Sequence, residues 1–172
     1  YVGSFYKGRG VDLIIQIAKE LKKFNFFLYG KRDEKFKNLP SNIRLKPFVD
    51  QSKVAQILTN SDLLLLPYLK RVYISKDANS PDNSKFMSPL KLFEYAASGK
   101  VVIASDQPVL KEFASYNAIA FSPNEASSFK ATIDELVLNK SKRRNLSKGL
   151  TNLARNYTWA NRAKKIANRF IY

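Results

Sequence analysis

The sequence predicts an α/β fold in which helices cover both faces of a parallel sheet. Short apolar runs of strand length alternate with segments whose apolar residues recur at helical spacing. One run, Leu63–Leu66, is continuously apolar, as a strand buried on both faces must be. Parallel neighbours need a crossover to bring the chain back, usually a helix, so the alternation implies a Rossmann-like sheet of about six strands.

Residues 1–5 read as the first strand. A helix follows over 11–23, with Val11, Ile14, Ile15, Ala18 and Leu21 on one face. Phe26–Tyr29 is a short apolar strand stopping at Gly30, and 43–45 is a third. Ser52 caps a helix through Leu58, which leads into Leu63–Leu66. Next comes a polar stretch, 69–85, of a length that in compact domains usually carries function. Ser88 and Pro89 open another helix, Gly99 closes it, and 101–104 and 118–121 supply two further strands. The remainder, 124–172, reads as successive helices with many exposed lysines and arginines. Such sheets bind ligands at the carboxyl ends of their strands, which points to the loops after Phe5, Tyr29, Leu45, Leu66 and Ala104.

Composition narrows the chemistry. A chain of 172 residues fits a single domain, 1–172, that buries about 70% of the surface its unfolded form exposes. No apolar run reaches the roughly 18 residues of a membrane span. There is no cysteine, which excludes disulfides and thiolate chemistry, and no histidine, which removes the commonest general base and metal ligand. Zero cysteine fits a cytoplasmic location. Thirty Lys and Arg against 14 Asp and Glu give +16, a charge that attracts nucleotide diphosphates, nucleic acid or anionic lipid. Lysines spread over solvated faces would give the same total.

Two stretches stand out. In 88–105, a turn at Ser88 and Pro89 opens a helix through Leu90, Lys91 and Glu94, and a buried strand follows. A helix start offers unpaired N–H groups and the positive end of the helix dipole, so a diphosphate placed before Leu90 would be held largely by backbone. Pro89 suits the first helical position, and Lys91 can add a charge. Glu94 lies among apolar residues, which predicts a half-buried carboxylate; it could accept hydrogen bonds from two vicinal hydroxyls. In the second stretch, Gly3, Ser4, Lys7, Gly8, Arg9 and Gly10 form a glycine-rich loop between strand and helix. There backbone can approach a phosphate closely and Arg9 can grip it. Each feature also has a plain alternative: a bare helix start, a surface glutamate, an ordinary turn.

Taken together, these stretches resemble the donor-binding half of retaining GT-B glycosyltransferases of glycosyltransferase family 4, group 1. Glu94 matches the family glutamate that holds the donor ribose, and Arg9 takes the lysine position of the first loop. Ser4 stands where an arginine is common, so the second cation is either missing or supplied elsewhere, Lys7 and Lys91 being the candidates. Tyr29-Gly30-Lys31 looks like the turn after the second strand, and the loop with Pro47 and Phe48 like the one whose backbone reads the base. Tyr157 to Ala163 resembles the closing signature, with Trp159 expected as a core aromatic. One departure matters: in the family's E-x7-E pattern Phe86 replaces the first glutamate, which usually contacts the transferred sugar. Asp82 or Asn83 could substitute.

The resemblance implies a hexosyltransferase-type enzyme using a UDP- or GDP-sugar, with no cofactor and no metal, in surface polysaccharide or glycolipid synthesis. It also implies that an N-terminal acceptor domain is missing, that this half alone is inactive, and that the protein can sit on the inner, anionic face of a membrane. A nucleotide-sugar 2-epimerase of the same fold stays open, as does a non-catalytic basic module binding nucleic acid or another protein. Nucleic acid is not expected, because Phe26, Phe27 and Tyr29 fall in strands assigned to the core.

Overall fold

The computed structural model describes residues 1–172 except 32–35, 37, 76, 78, 171 and 172. Positions 76 and 78 of the polar stretch and the end of the expected helical tail therefore lie outside the described residues. The strands are β1 (Phe26–Tyr29), β2 (Ile43–Lys46), β3 (Leu63–Leu66), β4 (Val101–Ser105) and β5 (Ile119–Ser122). The helices are α1 (Val11–Glu20), α2 (Gln51–Thr59), α3 (Leu90–Ala97), α4 (Pro108–Lys111), α5 (Ala126–Leu138), α6 (Lys140–Asn156) and α7 (Trp159–Phe170). All strand pairs are parallel: β1 with β2, and β4 between β3 and β5.

Among the described residues five strands form, where about six were expected. The expected first strand contracts to a single parallel bridge between Val2 and Tyr29. Tyr29 N–H donates to the Tyr1 carbonyl (2.9 Å) and Gly3 N–H to the Tyr29 carbonyl (2.8 Å). The other edge of Val2 meets side chains instead of a strand: its N–H donates to the Tyr95 hydroxyl (3.2 Å), and its carbonyl accepts from Lys91 Nζ. With its polar groups satisfied this way, Val2 has none left for a second ladder.

β4 shows why the sheet is covered on both faces. All five of its residues are buried. Val101 and Ile103 pack with Leu65 against α1 and α5, while Val102 and Ala104 pack with Leu64 and Leu66 against α2, α3 and α4. The alternation follows from the two-residue period of a strand. α6 crosses between the layers, placing Leu146 in one and Leu150 and Leu153 in the other.

Several sequence expectations shift. α1 ends at Glu20, and its buried side consists of Val11, Leu13, Ile14, Ile17 and Ala18, with Ile15 only half-buried. α2 starts at Gln51 behind an extended Asp50, so Ser52 lies inside the helix instead of capping it. Pro89 is the residue before α3, and no side chain caps that helix. Phe27 is 46% exposed, on the outward side of its strand. Trp159 is 75% exposed, because α7 lies on the surface instead of in the core.

Gly10 has φ 78°, and a Cβ added there would fall onto the Pro67 carbonyl. Gly99 has φ 68°, but a Cβ added there would make only an ordinary van der Waals contact, with Thr151 Oγ1 at 3.8 Å. Gly99→Ala should cost about 1–2 kcal/mol, the left-handed penalty alone. Gly10→Ala should cost roughly 1–3 kcal/mol more, since the steric term adds. Urea unfolding of both variants checks this, and equal losses would mean that Gly10 tolerates a side chain.

Candidate functional site

The site lies where the first loop meets the start of α3, beyond the carboxyl ends of the strands. Lys91 and Tyr95 stand one turn apart on α3 and so share a face. That face holds Val2 by its two polar backbone groups. Gly3 follows at φ 138°, and a Cβ there would strike Lys91 Nζ, so the glycine makes room for the amine. Gly30 packs against the same segment, where a Cβ would meet the Gly3 carbonyl and the Phe5 ring.

Arg9 is presented by the next turn, its N–H donating to the Tyr6 carbonyl (3.0 Å). Its guanidinium lies 5.6 Å from the Tyr68 ring centroid, and its Nε is buried without a hydrogen-bond partner among the described residues. Tyr68 is fixed in turn through its carbonyl, which accepts from Ser105 Oγ (2.5 Å) and Gln107 Nε2 (3.2 Å). Burial raises the pKa of the Tyr68 hydroxyl, an effect the nearby Arg9 partly offsets.

Lys91 Nζ sits 4.6 Å from the Tyr1 ring centroid. Burial lowers its pKa from 10.5 to about 8; Glu94 opposes the shift and Arg9 adds to it. Two cations thus act on one another electrostatically around the first loop, and one of them, Arg9, carries a buried Nε with no partner among the described residues. An anion placed between them would relieve both conditions.

Glu94 departs from expectation. It is exposed, not half-buried, and its Oε1 accepts from Gln51 Nε2 at 2.9 Å. Burial cost therefore does not argue for its function; position does. The start of α3 is also less open than expected, since Leu90 N–H already donates to the Ser88 carbonyl (2.9 Å) and Leu92 N–H to Pro89 (2.8 Å).

The remaining predicted residues divide. Gly3, Arg9, Gly10 and Lys91 gather around the first loop, while Ser4 is half-buried with its carbonyl accepting from the Tyr1 hydroxyl (2.8 Å). Lys7 turns away, 5.3 Å from the Tyr73 ring in the polar stretch. Pro47 and Phe48 are exposed after β2, Phe48 at 70%. Ser88 and Leu90 line a groove of about 600 Å³ that also takes in Phe86, Phe93, Tyr157, Trp159 and Glu94. Phe86, at the position of the family's first glutamate, is 84% exposed there. Asp82 is committed elsewhere: its Oδ1 accepts from Val72 N–H (3.0 Å) and Ser84 N–H (2.9 Å), and those bonds hold its pKa low. Sequence reasoning missed Tyr95 and Gln51. An isolated hydroxyl in the apolar run of α3 was the available signal for Tyr95; Gln51 offered none.

The chain matches the glycosyl transferase-like family over residues 9–168. It belongs to that family. Solved structures share the fold of this glycosyl transferase-like chain at low identity. The Anabaena HepE protein in complex with UDP matches with a TM-score of 0.75 at 12% identity, covering 98% of this chain and 47% of its own. Sucrose-phosphate synthase of Thermosynechococcus elongatus gives 0.77 at 16%, covering 99% and 43%. The catalytic domain of the Helicobacter pylori cholesterol-α-glucosyltransferase gives 0.68 at 20%, covering 92% and 96%. The glycosyl transferase-like chain thus spans about half the length of the first two, and its architecture is one Rossmann-like half of a GT-B fold. No curated protein sequence matches it. Among the described residues, no helix is long and apolar enough to cross a membrane.

Lys91 gives a stability test. Its folded pKa of about 8 lies below the ordinary 10.5, so between those values the unfolded chain holds a proton that the folded chain has shed. Stability contributed by this group therefore rises with pH across that window, and the burial cost is fully present below pH 8. The unfolding free energy of Lys91→Met minus that of the unmutated chain should shrink between pH 8 and 9.5, measured in urea. A difference independent of pH would mean that Lys91 titrates normally.

Proposed function

We propose that this domain holds the nucleoside diphosphate of a sugar donor and serves as the donor half of a retaining, hexosyltransferase-type GT-B enzyme. The observation that carries the reading is the buried Arg9 Nε, which lacks a partner among the described residues beside the Tyr68 ring, with Lys91 Nζ held at Val2 and Gly3 of the same first loop. A diphosphate supplies the charge and the acceptors that this corner lacks. Glu94, three residues beyond Lys91 and matching the family's ribose-binding glutamate, would receive the ribose hydroxyls. Family membership and the UDP bound to the similarly folded HepE protein support the assignment and make UDP the first ligand to test.

In transfer, charge develops on the leaving diphosphate, and cations already in place stabilise it without reorganising. Arg9 and Lys91 take that role, and the pair can act without a metal. Retention then proceeds by front-face attack assisted by the leaving phosphate, with no nucleophile from this domain. The acceptor would be held by a second domain, and α7 supplies a surface for one. Its exposed Trp159 and Ile166 share the helix with Arg162, Lys164, Lys165 and Arg169. On this reading the isolated chain binds nucleotide but transfers no sugar, and the enzyme works on surface polysaccharide or glycolipid, at the cytoplasmic face of a membrane.

Calorimetric titration separates the phosphate site from the rest. Arg9→Ala should weaken UDP by about 1.5–3 kcal/mol, the range for a hydrogen bond to a charged group, and uridine far less. Equal losses for both ligands, or none, would remove Arg9 from the phosphate site.

A further inference from the structure

Gln51 is the first residue of α2 and Glu94 lies in the middle of α3, yet their side chains meet at 2.9 Å across 43 residues of sequence. Both side chains are exposed, so no packing forces the contact. An exposed glutamate samples many rotamers, and ordering one on a ligand costs conformational entropy. A carboxylate that already accepts one bond has its plane and direction restricted before the ligand arrives. The bond occupies one lone pair of Oε1 and leaves Oε2 and the second lone pair of Oε1 for hydroxyls.

We propose that Gln51 is a positioning residue for nucleoside recognition, holding the Glu94 carboxylate in the orientation that receives the ribose. This rests on the donor reading given above and extends it to a residue on a different helix. Gln51 acts through Glu94, so its effect is confined to ligands that carry the hydroxyl Glu94 receives. Its chemistry also predicts a distinctive variant. In Gln51→Glu two carboxylates face each other; at neutral pH they repel, and as pH falls one takes up a proton and becomes a donor to the other.

The test is calorimetric titration of this chain with UDP and with 2′-deoxy-UDP. Gln51→Ala should weaken UDP about 3- to 10-fold, in line with the net worth of one hydrogen bond, and should weaken 2′-deoxy-UDP, which keeps only the 3′-hydroxyl, clearly less. In a Glu94→Ala background, Gln51→Ala should have no further effect on either ligand. Gln51→Glu should bind UDP poorly at pH 7.5 and regain affinity towards pH 5.5, relative to the unmutated chain at each pH. Equal weakening of both nucleotides by Gln51→Ala, or tighter UDP binding, would overturn the proposal, since Gln51 would then be a structural brace or a competitor for the site. Unchanged UDP affinity in Gln51→Ala, alongside a clear loss in Glu94→Ala, would overturn it while leaving the donor reading intact. Failure of the unmutated chain to bind UDP would overturn the donor reading itself. Melting of each variant without ligand checks that the binding changes do not come from unfolding.

Discussion

Helix α3 grips both polar backbone groups of Val2, the N–H through Tyr95 and the carbonyl through Lys91. Through Val2 this grip fixes the course of the first loop, and with it Gly3, Arg9 and the approach to the sheet edge. It also sets the charge of the site, because Lys91 reaches Val2 only by leaving water. Lys91 therefore does two things at once: it positions the backbone and brings a cation to the corner. Tyr95 carries the neutral half of the grip: burial raises its pKa, so its hydroxyl stays protonated.

Much of the fold was legible because it rests on local pattern. Phe26–Tyr29 and Leu63–Leu66 match the observed strands residue for residue, since apolar runs bounded by polar or glycine breaks depend little on distant chain. The first strand was not legible, because its second edge is satisfied by side chains about ninety residues away. Trp159 misled for a related reason: size predicts burial, yet α7 keeps its apolar stripe at the surface.

The candidate site divides in the same way. Arg9 and Lys91 stood out as cations beside glycine or a helix start, and in the structure Arg9 adds to the lowering of the Lys91 pKa. Glu94 was found by motif, but the physical argument for it, half-burial, failed. Gln51 could not be found at all, since nothing in its surroundings along the chain marks one exposed glutamine among others. A net charge of +16 is equally uninformative about place. Several lysines are spent on surface ion pairs, as Lys23 and Lys130 are on Asp134, and such pairs contribute little to stability.

The grip on Val2 also has a consequence in time. Contacts between residues distant in sequence form late, because the intervening chain must first be ordered and loop closure costs entropy. Val2 meets Lys91 and Tyr95 across about ninety residues of sequence that include β1, β2 and β3. During synthesis the cation corner is therefore absent until α3 has emerged and folded. A partly made chain lacks that corner altogether, and its appearance reports that the first loop and α3 have come together.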